Sequence, residues 1–300
     1  MGILQHTLTD PIIIDGPAAN VVHNERARFL RNGLAIISFN ILEDFFKQRI
    51  GEVLQHVATS PVQFQRLPVK IQEATLLSSL AGIQKIADRM RKNGEDWRTF
   101  IQTEANKLSS SAAMPYLLSS YGMGYKNSNL SEEEIASFLG AFQVEGAWQG
   151  IEQVTNLIGC SVISAKTQFV NAANRRHAAA HDPNVQTPLT DIKDFANCVK
   201  SIALGFDFLI SQAAHYLKNN HLPYINATAK IRPTDLHIRF IRKIRSTSYQ
   251  EMDKNNRSVI KIHTDEATAV ASLRSRRNYT KDMIVVVDYP SYVESWYTSL

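Results

Sequence analysis

The sequence predicts a mainly α protein in which a helical bundle is followed by a small C-terminal α/β or β-rich module. Three observations carry this expectation. Apolar residues recur at helical spacing through long stretches as far as Leu217. After Pro223 the period shortens towards alternation. The excess of positive charge is confined to the last quarter of the chain, with 20 basic and 20 acidic residues up to Ala229 and 13 basic against 8 acidic from Lys230 onward.

Residues 1–20 hold Pro11, Gly16 and Pro17 without a sustained period, and read as a loose leader with a short extended piece at Ile12–Ile14. From Val21 to His56, the residues Phe29, Ile36, Phe39, Leu42, Phe46, Ile50 and Leu54 form a stripe that predicts one long amphipathic helix. A second helix is expected from Pro68 to Arg91, stopped by Lys92-Asn93-Gly94, whose glycine suits a left-handed cap. A shorter helix follows over Trp97–Leu108. The stretch Met114–Asn129 reads as a connecting loop, and its Tyr-Gly-Met-Gly-Tyr core is wrongly framed for phosphate binding. Ser131 and Glu134 spell a capping box, so helices run from there to Ile158 with a break near Gly146. Val162–Ala180 forms the next helix, halted by Asp182-Pro183-Asn184. Pro188 and Asp191 then open the last long helix, striped by Phe195, Val199, Ile202, Phe206 and Leu209. These elements assign residues 21–222 to one helical domain. In residues 223–300, Leu236–Ile244 and Val259–Ile262 are strand candidates, Glu266–Arg276 is helical, and Met283–Val287 is a buried strand.

Composition removes several classes. With 44% hydrophobic and 20% charged residues, 13 Gly and 10 Pro in 300, the chain is neither disordered nor fibrous. Its longest apolar runs, such as Leu34–Ile37, fall far short of the roughly 20 residues that span a bilayer. No basic and apolar leader opens the chain, and a cytoplasmic location is expected. Cys160 and Cys198 have no second thiol or histidine at metal spacing, so they are read as buried free thiols, and neither a metal nor another cofactor is expected. No Glu-x-x-His pair accompanies Glu145, Glu152 or His215, which argues against a di-iron bundle. Glu152 and the Glu43-Asp44 pair are read as solvated, and His23, His56 and His221 as surface or capping residues. In the tail, Arg239, Arg242, Lys243, Arg245, Arg274, Arg276 and Arg277 interleave with Tyr249 and Tyr279. That mixture can pair phosphates and stack bases, and a short sheet with one solvated basic face would contain the same residues.

The string that stands out is Asn174-Arg175-Arg176-His177-Ala178-Ala179-Ala180-His181-Asp182-Pro183. On a helix, His177 and His181 share a face, whereas Arg176 and His181 lie about 140° apart. Arg176 and His181 therefore converge only across a helix end or between two chains. The alanines leave open space beside them for a second chain or a phosphate backbone. Without further context, the same string is a solvated helix end with an ion pair from Arg176 to Asp182.

Arg176-His177-x-x-x-His181 resembles the motif of the HEPN superfamily, which is Arg, a polar residue, three variable residues and His. The similarity covers residues 21–220 and includes Phe39–Ile50, which looks like the first long helix of the larger HEPN proteins. The resemblance implies an HEPN-like helical bundle that homodimerises, with the motifs of two chains forming one cleft where RNA is cut without metal. By the same resemblance Arg176 would neutralise the scissile phosphate and His181 would move protons during attack by the ribose 2′-hydroxyl. His177 stands where many members carry Asn. Arg175 and the tail cations are expected to contact RNA. The setting implied is a toxin or phage-defence system with an antitoxin or regulatory protein partner. The alternative is a non-catalytic helical module that binds nucleic acid or protein.

Overall fold

The computed structural model describes residues 7–125, 129–160, 162, 164–253, 255–276, 282–288, 292–298 and 300. Ten α-helices and five strands are named here, in chain order.

Helix α1 (Val21–Ala58) is the spine of the bundle and buries Phe39, Leu42, Phe46 and Ile50, with Phe29 and Ile37 left exposed. The helix expected over 68–91 is three pieces: α2 (Val69–Glu73), a π-helical turn at Ala74–Ser78, and α3 (Ser79–Lys92). Close approach of the following loop accompanies the interruption. A Cβ at Gly122 would lie 1.7 Å from the Ala74 carbonyl oxygen, and one at Gly82 would lie 1.9 Å from that of Tyr121. These two glycines let backbone touch backbone at the wide turn. Asn93 caps α3 and Gly94 follows at φ +74°, as the cap signal implies.

Helix α4 (Trp97–Ser110) buries only Glu104. Helix α5 (Glu132–Ala141) opens with both hydrogen bonds of the Ser131–Glu134 capping box. Helix α6 (Ala147–Leu157) follows the break at Gly146, which sits at φ +61°. Helices α7 (Ala165–His181) and α8 (Leu189–Lys218) complete the bundle, and α8 buries nearly every residue from Phe195 to Ala214. The short α9 (Leu222–Ile225) leads into the tail.

The tail holds a mixed five-stranded sheet of order β3-β2-β1-β4-β5. Its strands are β1 (Ile238–Arg245), β2 (Ser248–Met252), β3 (Val259–His263), β4 (Met283–Asp288) and β5 (Tyr292–Tyr297). Only β1 and β4 run parallel, joined by a crossover through α10 (Glu266–Arg274). One face of the sheet, through Phe240, Met252, Met283, Val285 and Val293, belongs to the same apolar cluster as the bundle. The other face packs Ile241, Tyr249, Ile284 and Val286 under Ala269, Val270 and Leu273 of α10. The module therefore shares its core with the bundle.

Several expectations are corrected. Ile12–Ile14 is not extended: Pro11–Ile13 is a 3-10 turn capped by Asp10. The described part of the leader is docked, with Leu8 and Ile13 packed against Ile192 and Ala196. Glu43 is buried, bonded to Lys47 Nζ at 2.6 Å and accepting from the Leu130 amide at 3.1 Å. Glu152 caps the next helix, its Oε1 accepting from the Ala165 amide at 2.7 Å. Strands β2 and β5 carry no strong alternation and went unpredicted. Among the described residues, no helix is long and apolar enough to cross a membrane.

Candidate functional site

The motif occupies the second half of α7. That helix is fixed at its start by Ser164, whose Oγ accepts from the Thr167 amide, and by Glu152. Phe169 anchors it, packed against Phe39, Phe46 and Trp148 with centroids 5.3, 6.3 and 5.4 Å away. Its buried residues are Ala165, Phe169 and Ala172, so the motif rides on the part with no deeply buried side chain. Phe169 sits at Phe39 and Phe46, and the segment after α7 meets α1 at Arg31 and Asn32. The two helices therefore run antiparallel.

That segment is held firmly. Arg31, only 4% exposed, donates from Nε to the Thr187 carbonyl at 3.0 Å and from Nη1 to the Ile13 carbonyl and to Asp15, both at 2.9 Å. Asn32 donates to the Val185 carbonyl at 3.0 Å and accepts from the Thr187 hydroxyl at 2.8 Å. These contacts fix the chain immediately after His181, on which the orientation of the helix end depends. Sequence reasoning missed both residues. A signal existed: Arg31 falls in phase with Ala27, Ala35 and Phe39 on the inward stripe, where a cation requires partners.

His177 and His181 are both exposed, and their rings stack along the helix with centroids 4.5 Å apart and planes inclined at 54°. Among the described residues, neither ring hydrogen-bonds to another side chain. Arg176 is half-buried; its Nε is sealed from solvent without an acceptor, and among the described residues it makes no ion pair, so the pairing with Asp182 is not seen. Asp182 instead accepts from the Asn184 amide at 2.8 Å. Arg175 Nη1 reaches Asp191 Oδ2 of α8 at 3.4 Å, and its Nη2 is sealed without an acceptor. Arg176 and His181 point to different sides of one helix and do not touch. The site thus combines two half-buried guanidiniums and two open imidazoles, residue types that can bind an anion and exchange protons.

The tail cations are placed differently from the motif. Arg239 pairs with Asp282 at 3.1 Å, Lys243 with Glu294 at 2.8 Å, and Arg276 with Glu251 at 2.6 Å. Arg242 donates to the Asn256 carbonyl at 2.8 Å, and Arg274 lies 5.4 Å over the Tyr297 ring. Arg245 is exposed. Tyr249 is buried under α10, and Arg277 and Tyr279 lie outside the described residues. Most of the described cations thus hold the module together.

A crevice of about 560 Å³ beside the π-helical turn is lined by Ser78, Tyr121, Gly122, Ser131, Glu134 and Ser137, among others, and by no motif residue. Among the described residues, no three His, Cys, Asp or Glu side chains converge as metal ligands. Cys198 is buried, which pushes its thiol up to about 12 and makes it a poor nucleophile. Comparison with protein-family models, curated proteins and solved structures finds no match to this chain.

Proposed function

We propose that the chain is a metal-independent endoribonuclease of HEPN type, acting as a homodimer in a toxin or phage-defence role. The observation that carries this reading is the Arg176-His177-x-x-x-His181 string at the exposed end of a bundle helix. There the two imidazoles stack in the open, and the neighbouring Arg176 is half-buried without an ion pair among the described residues. Because Arg176 and His181 do not meet within one chain, a second copy is required to bring them together. Helix α1, against which α7 packs, carries an exposed apolar stripe suited to that contact: Phe29 (55% exposed), Leu30, Ile37 (54%) and Ile41.

In the proposed reaction Arg176 neutralises the scissile phosphate. One histidine takes the proton of the 2′-hydroxyl, whose oxygen bonds to phosphorus. Another returns a proton to the departing 5′-oxygen. The two copies of His181, one from each chain of the dimer, hold these two roles, and His177 shares the helix face of His181. The products are a 2′,3′-cyclic phosphate and a 5′-hydroxyl. Arg175 and the exposed Arg245 would contribute contacts to the RNA backbone outside the bond that is cut.

Mapping the ends of tRNA fragments made by the purified protein tests the chemistry. Cyclic phosphate with 5′-hydroxyl is expected, whereas 3′-hydroxyl with 5′-phosphate would reject the mechanism. A second reading, a non-catalytic binding module, is favoured by one observation: neither imidazole is oriented by a side-chain partner. Binding of tRNA without fragments would support it.

A further inference from the structure

The strand β3 forms one edge of the tail sheet, with β2 on its inner side and no strand paired to its outer side among the described residues. It reads Val259-Ile260-Lys261-Ile262-His263, and only His263 is buried. Val259, Ile260 and Ile262 are 46%, 47% and 60% exposed. Three exposed branched apolar residues in five, on an open edge, are costly to leave in water and suit a further strand. This edge plays no part in the proposed RNA cleavage.

The charges decide what that strand is. Lys261 stands opposite Glu251 in the register with β2. The Glu251 carboxylate is already taken by Arg276, His263 and Ser272, and Lys261 makes no ion pair among the described residues. Arg257, just before the strand, is exposed as well. The nearby acids are occupied locally: Asp253 accepts from the Arg257 and Ser258 amides, and Asp265 caps α10. The edge therefore presents a positive charge between two isoleucines.

A second copy of β3 fits this edge poorly. In an antiparallel pairing that sets Ile260 against the other copy's Ile262, the two Lys261 side chains face one another, and like charges directly opposite are destabilising. A strand with an acidic residue at that place, flanked by apolar ones, satisfies both Lys261 and the isoleucines. We infer that β3 is the docking edge for an extended segment of a protein partner in which acidic and apolar residues alternate, added as a sixth strand.

The test uses the full chain and a set of fluorescent nonapeptides in which Glu alternates with Val, Ile, Leu or Phe. Lysine-for-glutamate versions and versions N-methylated at alternate residues serve as controls, read by anisotropy. The acidic peptides are expected to bind at least about tenfold more tightly than the lysine ones, and N-methylation is expected to abolish binding. Lys261→Glu should reverse the preference and Ile262→Lys should remove binding. Lys261→Gln, which keeps the size and removes the charge, should level it. The inference is overturned if no peptide of the set binds, if acidic and basic peptides bind alike, or if N-methylated peptides bind as well as their parents. It is equally overturned if a uridine oligonucleotide, and no peptide, binds to the edge and is released by Lys261→Glu.

Discussion

Arg176 and His181 take their chemical character from what surrounds them. Arg176 is half-buried, and one sealed donor of its guanidinium lacks an acceptor. His177 and His181 are held against each other by nothing more than helical spacing, four residues and one turn apart. This much was legible in the sequence, because spacing on a helix is local. The absence of the ion pair to Asp182, which the plain helix-end reading required, was not, since the partner of that carboxylate is a backbone amide two residues on. Cys198 supplies an independent test of burial. With its thiol pushed up to about 12, it stays protonated and shielded at pH 8. Ellman's reagent should therefore leave Cys198 unmodified in the folded protein and titrate it after unfolding in guanidinium. Rapid reaction of the native thiol would contradict this packing.

At the scale of elements, the clamp between α1 and the segment after α7 sets the pose of the site. Removing the Arg31 guanidinium would leave the Thr187 and Ile13 carbonyls without their donors. Arg31→Met should lower stability by about 2 kcal/mol, read as an earlier midpoint in urea denaturation. An unchanged midpoint would mean that water replaces the guanidinium at no cost. The exposed stripe on α1 makes a separate demand. Ile37→Glu should leave the monomer folded and shift a dimer to monomer in sedimentation velocity. A variant that still sediments as a dimer would place the contact elsewhere.

The long helices were readable because each carries an uninterrupted stripe and its own cap, as at Ser131–Glu134. Strands β2 and β5 were not, because Ser248–Met252 and Tyr292–Tyr297 owe their state to neighbours in the sheet. The π-helical turn was hidden for a similar reason, since Ala74–Ser78 reads as ordinary helix until Gly122 meets it.

Across the whole molecule, the sheet and the bundle behave as one body. Asp207, only 4% exposed, accepts from Trp296 Nε1 of β5 at 2.8 Å, from Arg49 Nε of α1 at 2.6 Å and from Ser211 Oγ at 2.9 Å. Arg49 also donates to the Thr298 hydroxyl at 2.7 Å. A lone carboxylate in the apolar run from Ile202 to Ala214 signals such a partner, but the sequence does not say that β5 provides it. The charge asymmetry was legible in the sequence, but the ion pairs that hold Arg239, Lys243 and Arg276 to Asp282, Glu294 and Glu251 were not, because their partners come from other parts of the sheet module. A chain ending at residue 229 would expose Asp207 and the surface that Phe240, Met283 and Val285 cover. It should aggregate or lose cooperative thermal unfolding, whereas a soluble fragment with a sharp transition would show that the bundle stands alone.

The central claim, that His181 serves RNA cleavage without a metal, is tested most directly by one comparison. The rate at which labelled tRNA is cut in EDTA is measured for the wild type and for His181→Ala, with matching circular dichroism as a control for folding. The wild type should cut and the variant should be slower by about a hundredfold or more. Equal rates, or cleavage that vanishes in EDTA and returns with magnesium, would contradict the account.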